Sequence, residues 1–189
     1  MKRSSKLGGI VAAALVMIVL PVAAAPPITA GQTRISAELS GYQETPLTIN
    51  SPGSGEFKAM IHDHGTAITY QLTYRDLSSP VTQAHIHFGR PGISGLIVLF
   101  LCNTSAAPPP APAPTPPPCP PAPATVTGTL TAADIIARPT QGIDPGAAGF
   151  AQVLEAIRAG AAYANVHTTV QPAGEIRARL HSHGHGDHP

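Results

Sequence analysis

The chain has 189 residues and sets 11 lysines and arginines against 10 aspartates and glutamates, for a net charge of +1. That balance excludes a broad basic face for nucleic acid. With no tryptophan and only four phenylalanines and four tyrosines, the core must be built from Val, Ile, Leu and Ala, and the length suits one domain.

The N-terminus reads as an export signal over residues 1–24. Lys2, Arg3 and Lys6 precede the apolar run Ile10 to Leu20, and Val22-Ala23-Ala24 supplies the small residues of a processing site. Cleavage is expected after Ala24, because a cut one residue later would put Pro26 directly beyond the scissile bond. The run falls short of the roughly 20 residues that span a bilayer, and no cysteine lies near the cut to carry a lipid. The expected product is exported, periplasmic or secreted, with no stable membrane anchor after signal cleavage.

Alternation of apolar and polar residues then dominates. Arg34 to Ser40 puts Ile35, Ala37 and Leu39 on one face. Gly55 to Ile61 alternates likewise and stops at the turn signal His62-Asp63-His64-Gly65. Thr66 to Tyr74 follows, so these two runs read as a hairpin. Val81 to Phe88, Leu96 to Leu101 and Val126 to Leu130 are further strands. Phe150, Val153, Leu154 and Ile157 instead fall at helical spacing, which predicts one helix over Gly149 to Ala159 with Gly160 as its C-cap. Asp134-Ile135-Ile136 is expected to start a shorter helical turn. Tyr163 to Thr169 and Gly174 to Leu180 close the series. The expected fold is all-β, a Greek-key-type β-sandwich of seven or eight strands with one helix and a proline-rich insertion.

The insertion spans residues 103–123, with Cys102 just before it and Cys119 within it. Its prolines forbid helix and interior strand and predict a polyproline II arm standing out from the sandwich, as a spacer or as a ligand for a partner. In an exported chain the two cysteines are expected to form a disulfide, which in the chain-entropy model stabilises by about 3 kcal/mol. A thiol or metal site is the weaker reading, since neither cysteine belongs to a C-x-x-C pair.

Two histidines two apart in a strand, His85 and His87, point to one face. His167, in Asn165-Val166-His167-Thr168, offers a third imidazole, and three imidazoles are a ligand set for one transition metal ion. The apolar alternates Ala84, Ile86 and Phe88, and Ala162, Ala164 and Val166, are expected to face the core. That leaves the histidines on a polar outer face or in a pocket at a sheet edge. The competing reading has these imidazoles only capping loops. Tyr163 shares a face with His167. Glu175 is expected to accept a ligating histidine's second N–H, and Arg177 to guide an anion. A plain ion pair between Glu175 and Arg177 is the alternative. His62 and His64 are explained by the turn. The tail over residues 181–189, with His181, His183, His185 and His188, is expected to be flexible and to capture metal ions. The motifs of serine hydrolases, P-loop kinases and dinucleotide enzymes are missing from the sequence.

Several blocks occur in order: Leu39-Ser40-Gly41-Tyr42-Gln43-Glu44-Thr45-Pro46, Gly53-Ser54-Gly55, Leu72-Thr73-Tyr74 and Ala84-His85-Ile86-His87. Gly92-Ile93-Ser94-Gly95, Gly160 to Thr168 and Pro172-Ala173-Gly174-Glu175-Ile176-Arg177 complete them. Together they resemble the CHRD domain, the module named from chordin and also found in exported bacterial proteins. The resemblance covers residues 33–180. The chain departs from the pattern in the cysteine-flanked insertion and in Ala178, where the family usually has glycine. The H-x-H strand with a distant third histidine is also similar to the ligand pattern of copper/zinc superoxide dismutases. That likeness implies redox chemistry on a small anion such as superoxide, by a metal-dependent oxidoreductase; the three imidazoles themselves leave iron, copper or zinc as candidates. The chordin connection implies instead a non-catalytic extracellular recognition or adhesion module.

Overall fold

The computed structural model describes residues 33–62, 64–104 and 115–183. The signal segment, the middle of the proline-rich insertion, Asp63, and His185 and His188 of the tail lie outside the described residues. Nine strands and one α-helix follow in order: β1 (Thr33–Ser40), β2 (Ser54–His62), β3 (Ala67–Arg75), β4 (Val81–Phe88), β5 (Leu96–Asn103), β6 (Ala124–Thr131), α1 (Gly146–Arg158), β7 (Ala162–Thr168), β8 (Ile176–Arg179) and β9 (His181–His183). The all-β class expected from alternation holds. The strands are hydrogen-bonded in a single antiparallel order, β5-β4-β7-β8-β1-β2-β3-β6, with β9 also pairing β1. The two layers of the expected sandwich are therefore two parts of one sheet that curls nearly closed. Tyr70 of β3 reaches across it, its hydroxyl donating to the Leu101 carbonyl of β5 at 2.5 Å.

The predicted hairpin is β2–β3, in register from Ser54 opposite Arg75 to His62 opposite Ala67. His64 and Gly65 carry the positive φ values of its turn, 56° and 94°. Along β3 the inward set Ile68, Tyr70, Leu72 and Tyr74 is buried, while Thr69, Gln71 and Arg75 are exposed. Each such fully buried aliphatic chain contributes about 2 kcal/mol of transfer free energy. The helix begins three residues before its predicted start and buries Phe150, Val153, Leu154 and Ile157 in the core. Gly160, at φ 64°, closes it as predicted: Ala161 N–H donates to Ala156 O and Gly160 N–H to Ile157 O. The short turn expected from Asp134 ends there instead, as a 3-10 turn over Ala132–Asp134 capped by Thr131. Among the described residues no helix is long and apolar enough to cross a membrane.

Two expectations are corrected. Residues 181–183 of the tail are ordered as β9, with His181 opposite Ser36 and His183 opposite Arg34, and His183 Nε2 lies 3.0 Å from Ser36 Oγ. The unsatisfied edge of β1 beyond the four-residue β8 captures them, which outweighs their lack of apolar side chains. The described part of the insertion does not stand out from the barrel. Asn103 N–H donates to Pro117 O, the Tyr74 hydroxyl donates to Pro120 O at 2.6 Å, and Cys119 is buried. Proline keeps its carbonyl acceptor, and the barrel uses those carbonyls to hold the segment down. Cys102 and Cys119 form the expected disulfide.

Candidate metal centre

All seven residues of β7 are buried, in contrast to the alternating β1, β2 and β3. Its inner alternates Ala162, Ala164 and Val166 join the core. Its outer alternates Tyr163, Asn165 and His167 lie under loops. β4 runs beside it with His87 opposite Tyr163, His85 opposite Asn165 and Gln83 opposite His167. Directly opposed residues in an antiparallel pair share a face, so the two strands set three imidazoles on one patch. On its other side β4 pairs β5 with register shifts between Ala84 and His85 and between Ile86 and His87. Such bulges re-aim side chains near functional sites.

The histidines are 0 % (His85), 8 % (His87) and 6 % (His167) exposed and stand on strands inside the sheet order, so the expected polar outer face or sheet-edge pocket is corrected to a roofed site within the sheet. The strands face outward here as parity requires, but the Gly89–Gly95 loop and the Pro172 turn close over them. His87 Nδ1–H donates to Gly95 O at 2.9 Å, and His167 Nδ1–H donates to Pro172 O at 3.0 Å. His85 Nδ1 lies 2.9 Å from His87 Nε2, and its ring meets Phe100 edge-on at 5.2 Å. One nitrogen from each ring falls within 4.8 Å of the others. Among the described residues His85 Nε2 and His167 Nε2 are buried with no hydrogen-bond partner.

Burial holds all three rings neutral. Desolvation, followed by the neighbouring His167 and His87, puts His85 well below the ordinary histidine range. Desolvation lowers His87 to about 4 despite its bond to Gly95. Desolvation also lowers His167, against the bond to Pro172. A neutral imidazole whose Nδ1–H is held by a carbonyl presents its Nε2 lone pair, the form a transition metal binds.

Tyr163 lies parallel to His87, with ring centroids 4.6 Å apart and 5° between planes, and its hydroxyl accepts from Gly95 N–H at 3.0 Å. Burial raises its pKa. The Arg177 guanidinium sits 3.4 Å from the Tyr163 ring centroid, a cation–π contact, on the face that His87 leaves open. It donates to Thr45 Oγ1, and to Ile93 O at 2.7 Å. A cleft of about 190 Å³, lined by Gln43, Gly89, Gly92, Tyr163, Arg177 and Arg179 among others, opens onto this stack.

Glu175 does not reach the histidines. Its carboxylate accepts from the Ser51 hydroxyl at 2.6 Å, Ser78 N–H at 2.7 Å, the Ser78 hydroxyl at 2.8 Å and the Thr168 hydroxyl at 2.7 Å. Burial raises its pKa, but these bonds outweigh that and leave it below the ordinary value. The expected contact with a ligating histidine fails because Glu175 precedes β8, where strand parity no longer applies, and it ties three loops together instead. Nor do Glu175 and Arg177 form an ion pair among the described residues. The acid beside Arg177 is Glu44, a turn residue that no strand or helix period marks. The bond from Asn165 Nδ2 to Glu44 Oε2, at 3.4 Å, closes that side of the site. His181 and His183 sit on β9 and join no cluster with the three imidazoles.

An all-β barrel that roofs three neutral, convergent imidazoles defines a class: a β protein with a buried nitrogen-donor set able to hold one transition metal ion. The family follows from its sequence profile. The CHRD domain model matches residues 35–180, most of the chain, and the chain belongs to the CHRD domain family. No curated protein and no solved structure matches it.

Proposed function

We propose that this CHRD domain protein binds one transition metal ion through His85, His87 and His167. The observation that carries the reading is the pair of backbone carbonyls, Gly95 and Pro172, that take the Nδ1 protons of His87 and His167. Loop-capping alone would explain those two bonds, but it leaves the buried, partnerless Nε2 atoms of His85 and His167 without a role. Leaving a buried acceptor unmade costs about 1–3 kcal/mol, and a cation between the lone pairs removes that cost. Three neutral imidazoles suit iron, copper or zinc. Tyr163 would fix the plane of His87 by stacking.

The proposal extends to chemistry on a small anion such as superoxide. A bound iron or copper ion would supply one-electron chemistry there, whereas zinc would not. Arg177 supports this extension, because its positive charge stands one aromatic ring away from His87 and draws anions toward the cleft. Export by the 1–24 signal and metal capture by His181, His183, His185 and His188 belong to the same reading. They place the site where metal ions must be won from outside.

Elemental analysis of protein ending at His183, which keeps β9, tests the proposal. One ion per chain is expected, lost in His85→Ala, His87→Ala and His167→Ala. A truncation that takes up no iron, copper or zinc would overturn it and favour the non-catalytic recognition module. A superoxide assay on the loaded protein decides the redox extension.

A further inference from the structure

Glu44 follows the 3-10 turn Gly41–Gln43 and is 5 % exposed. Its Oε1 is buried without a hydrogen-bond partner among the described residues, and so is Oδ1 of Asn165. Asn165 lies directly opposite His85 on one side and Arg177 on the other. Gly174, at φ 127°, passes over both head groups. A Cβ there would lie 2.7 Å from Glu44 Oε1, 2.7 Å from Asn165 Oδ1 and 2.8 Å from Asn165 Nδ2. Any side chain at 174 would push the two apart, so the glycine is what lets a carboxyl and a carboxamide share this buried space.

A carboxylate has only acceptors, and a carboxamide has one donor side and one acceptor side. Side by side they make one hydrogen bond and leave one oxygen of each without a donor, whichever way the amide is turned. In a buried site that mismatch is costly. A proton on the Glu44 carboxyl removes it and gives a cyclic acid–amide pair. The charged and titratable groups facing Glu44 are Arg177 of β8 and Tyr163 of β7. Desolvation dominates, against Arg177, the Thr45 backbone and Asn165, and raises Glu44 to about 7.

We propose that Glu44 and Asn165 form an acid–amide pair that stores one proton across the strand pairing from His85, and that Glu44 donates it to a small oxyanion reduced at the histidine site. The donor role rests on the redox reading above; the pair itself does not. Dismutation turns two superoxide ions and two protons into dioxygen and hydrogen peroxide, one superoxide being oxidised and the other reduced. Glu44 supplies one of the two protons. Its O–H bond breaks, an O–H bond forms on the reduced oxygen species, and solvent supplies the second proton. The carboxylate left behind keeps the Asn165 Nδ2–H bond and faces Arg177, until solvent reprotonates it.

Infrared difference spectroscopy of the full, metal-loaded chain tests the pair, with Glu44→Gln as the isosteric control. The expected result is a carboxylic-acid carbonyl band that titrates away near 7, shifts in Asn165→Ala and is missing in Glu44→Gln. A wild-type protein with no such band, or a band that survives in Glu44→Gln, overturns the pair. Glu44→Gln should keep its metal, and loss of metal from that variant alone would make Glu44 a ligand and overturn the proposal. Superoxide removal by Glu44→Gln should fall by about 100-fold and lose its dependence on the ionisation near 7. An unchanged rate and pH profile overturns the donor role. A wild-type chain that takes up no metal overturns the metal reading instead, and the infrared arm still decides the pair.

Discussion

His85 Nδ1 stands 2.9 Å from His87 Nε2; with the His87 proton on Nδ1 held by Gly95 O, His85 Nδ1–H donates to His87 Nε2, and a further proton on His87 Nε2 would set two N–H groups against each other. The metal-free protein is therefore expected to be acid-sensitive. The folded-state pKa of His87 is about 4 against 6.5 for the unconstrained group, and those of His85 and His167 are also lowered. The unfolded chain binds protons first as pH falls below 6.5, so stability is lost from there down through the folded values. His87 alone accounts for about 3 kcal/mol. Glu44 acts in the opposite sense. Its folded value of about 7 lies above 4.5, so its contribution to stability is lost as pH rises through that window. Three groups outweigh one, and urea midpoints of metal-free wild type should fall on acidification. Those of Glu44→Gln should fall more steeply.

Metal addition should reverse that trend. A ligand that binds only the folded state at 100 times its Kd adds about 2.7 kcal/mol, read as a rise in Tm that a chelator abolishes. His167→Ala, which removes one proposed ligand and its bond to Pro172, should show no rise. An equal rise in that variant would place the metal elsewhere.

Parity was enough to bring the three histidines together. His85 and His87 are two apart, and Asn165-Val166-His167 repeats the period, so only the pairing of β4 with β7 had to be supplied by the fold. The acceptors at Gly95 and Pro172 were not legible, because a backbone carbonyl carries no mark of residue type. Glu44 was missed for a related reason. It sits in a turn, where spacing does not fix direction, and the motif around it carries no mark of burial. Glu175 failed the other way: the strand period was carried one residue beyond β8. The tail and the proline segment show the limit of composition: β9 is held by backbone pairing with β1, and the proline segment by its carbonyl acceptors, the disulfide and the buried Cys119.

Tyr163→Phe should separate the hydroxyl from the ring. The stacking on His87 and the Arg177 contact survive, while Gly95 N–H loses its acceptor. The expected cost is about 1–3 kcal/mol with metal content unchanged. Tyr163→Leu removes the plane that orients His87 and should weaken metal binding as well. Denaturation and metal titration on the same two samples check both.

Cys102→Ser with Cys119→Ser opens the loop that the disulfide closes, a separation of 17 residues. A loss of about 3 kcal/mol is expected from loop entropy. The Tyr74–Pro120 and Asn103–Pro117 bonds should keep the segment partly docked. Protection of residues 115–123 from protease would agree with that, and cleavage throughout 115–123 would contradict it.

Glu175→Ala gives the sharpest separation of structure from site. The carboxylate is wholly buried and accepts four hydrogen bonds, two from Ser78 and one each from Ser51 and Thr168. Bonds to a charged acceptor are worth about 1.5–3 kcal/mol each, and their sum is not additive because the donors partly rehydrate. A loss of about 3–5 kcal/mol is expected. Because this carboxylate's depressed pKa means its stabilisation is lost as pH falls through the folded value, the variant should also lose part of the wild type's acid sensitivity. Metal stoichiometry at a temperature where the variant is folded should match wild type, since no Glu175 atom bonds a histidine. A folded Glu175→Ala protein without metal would restore this residue to the site from which the loop contacts remove it.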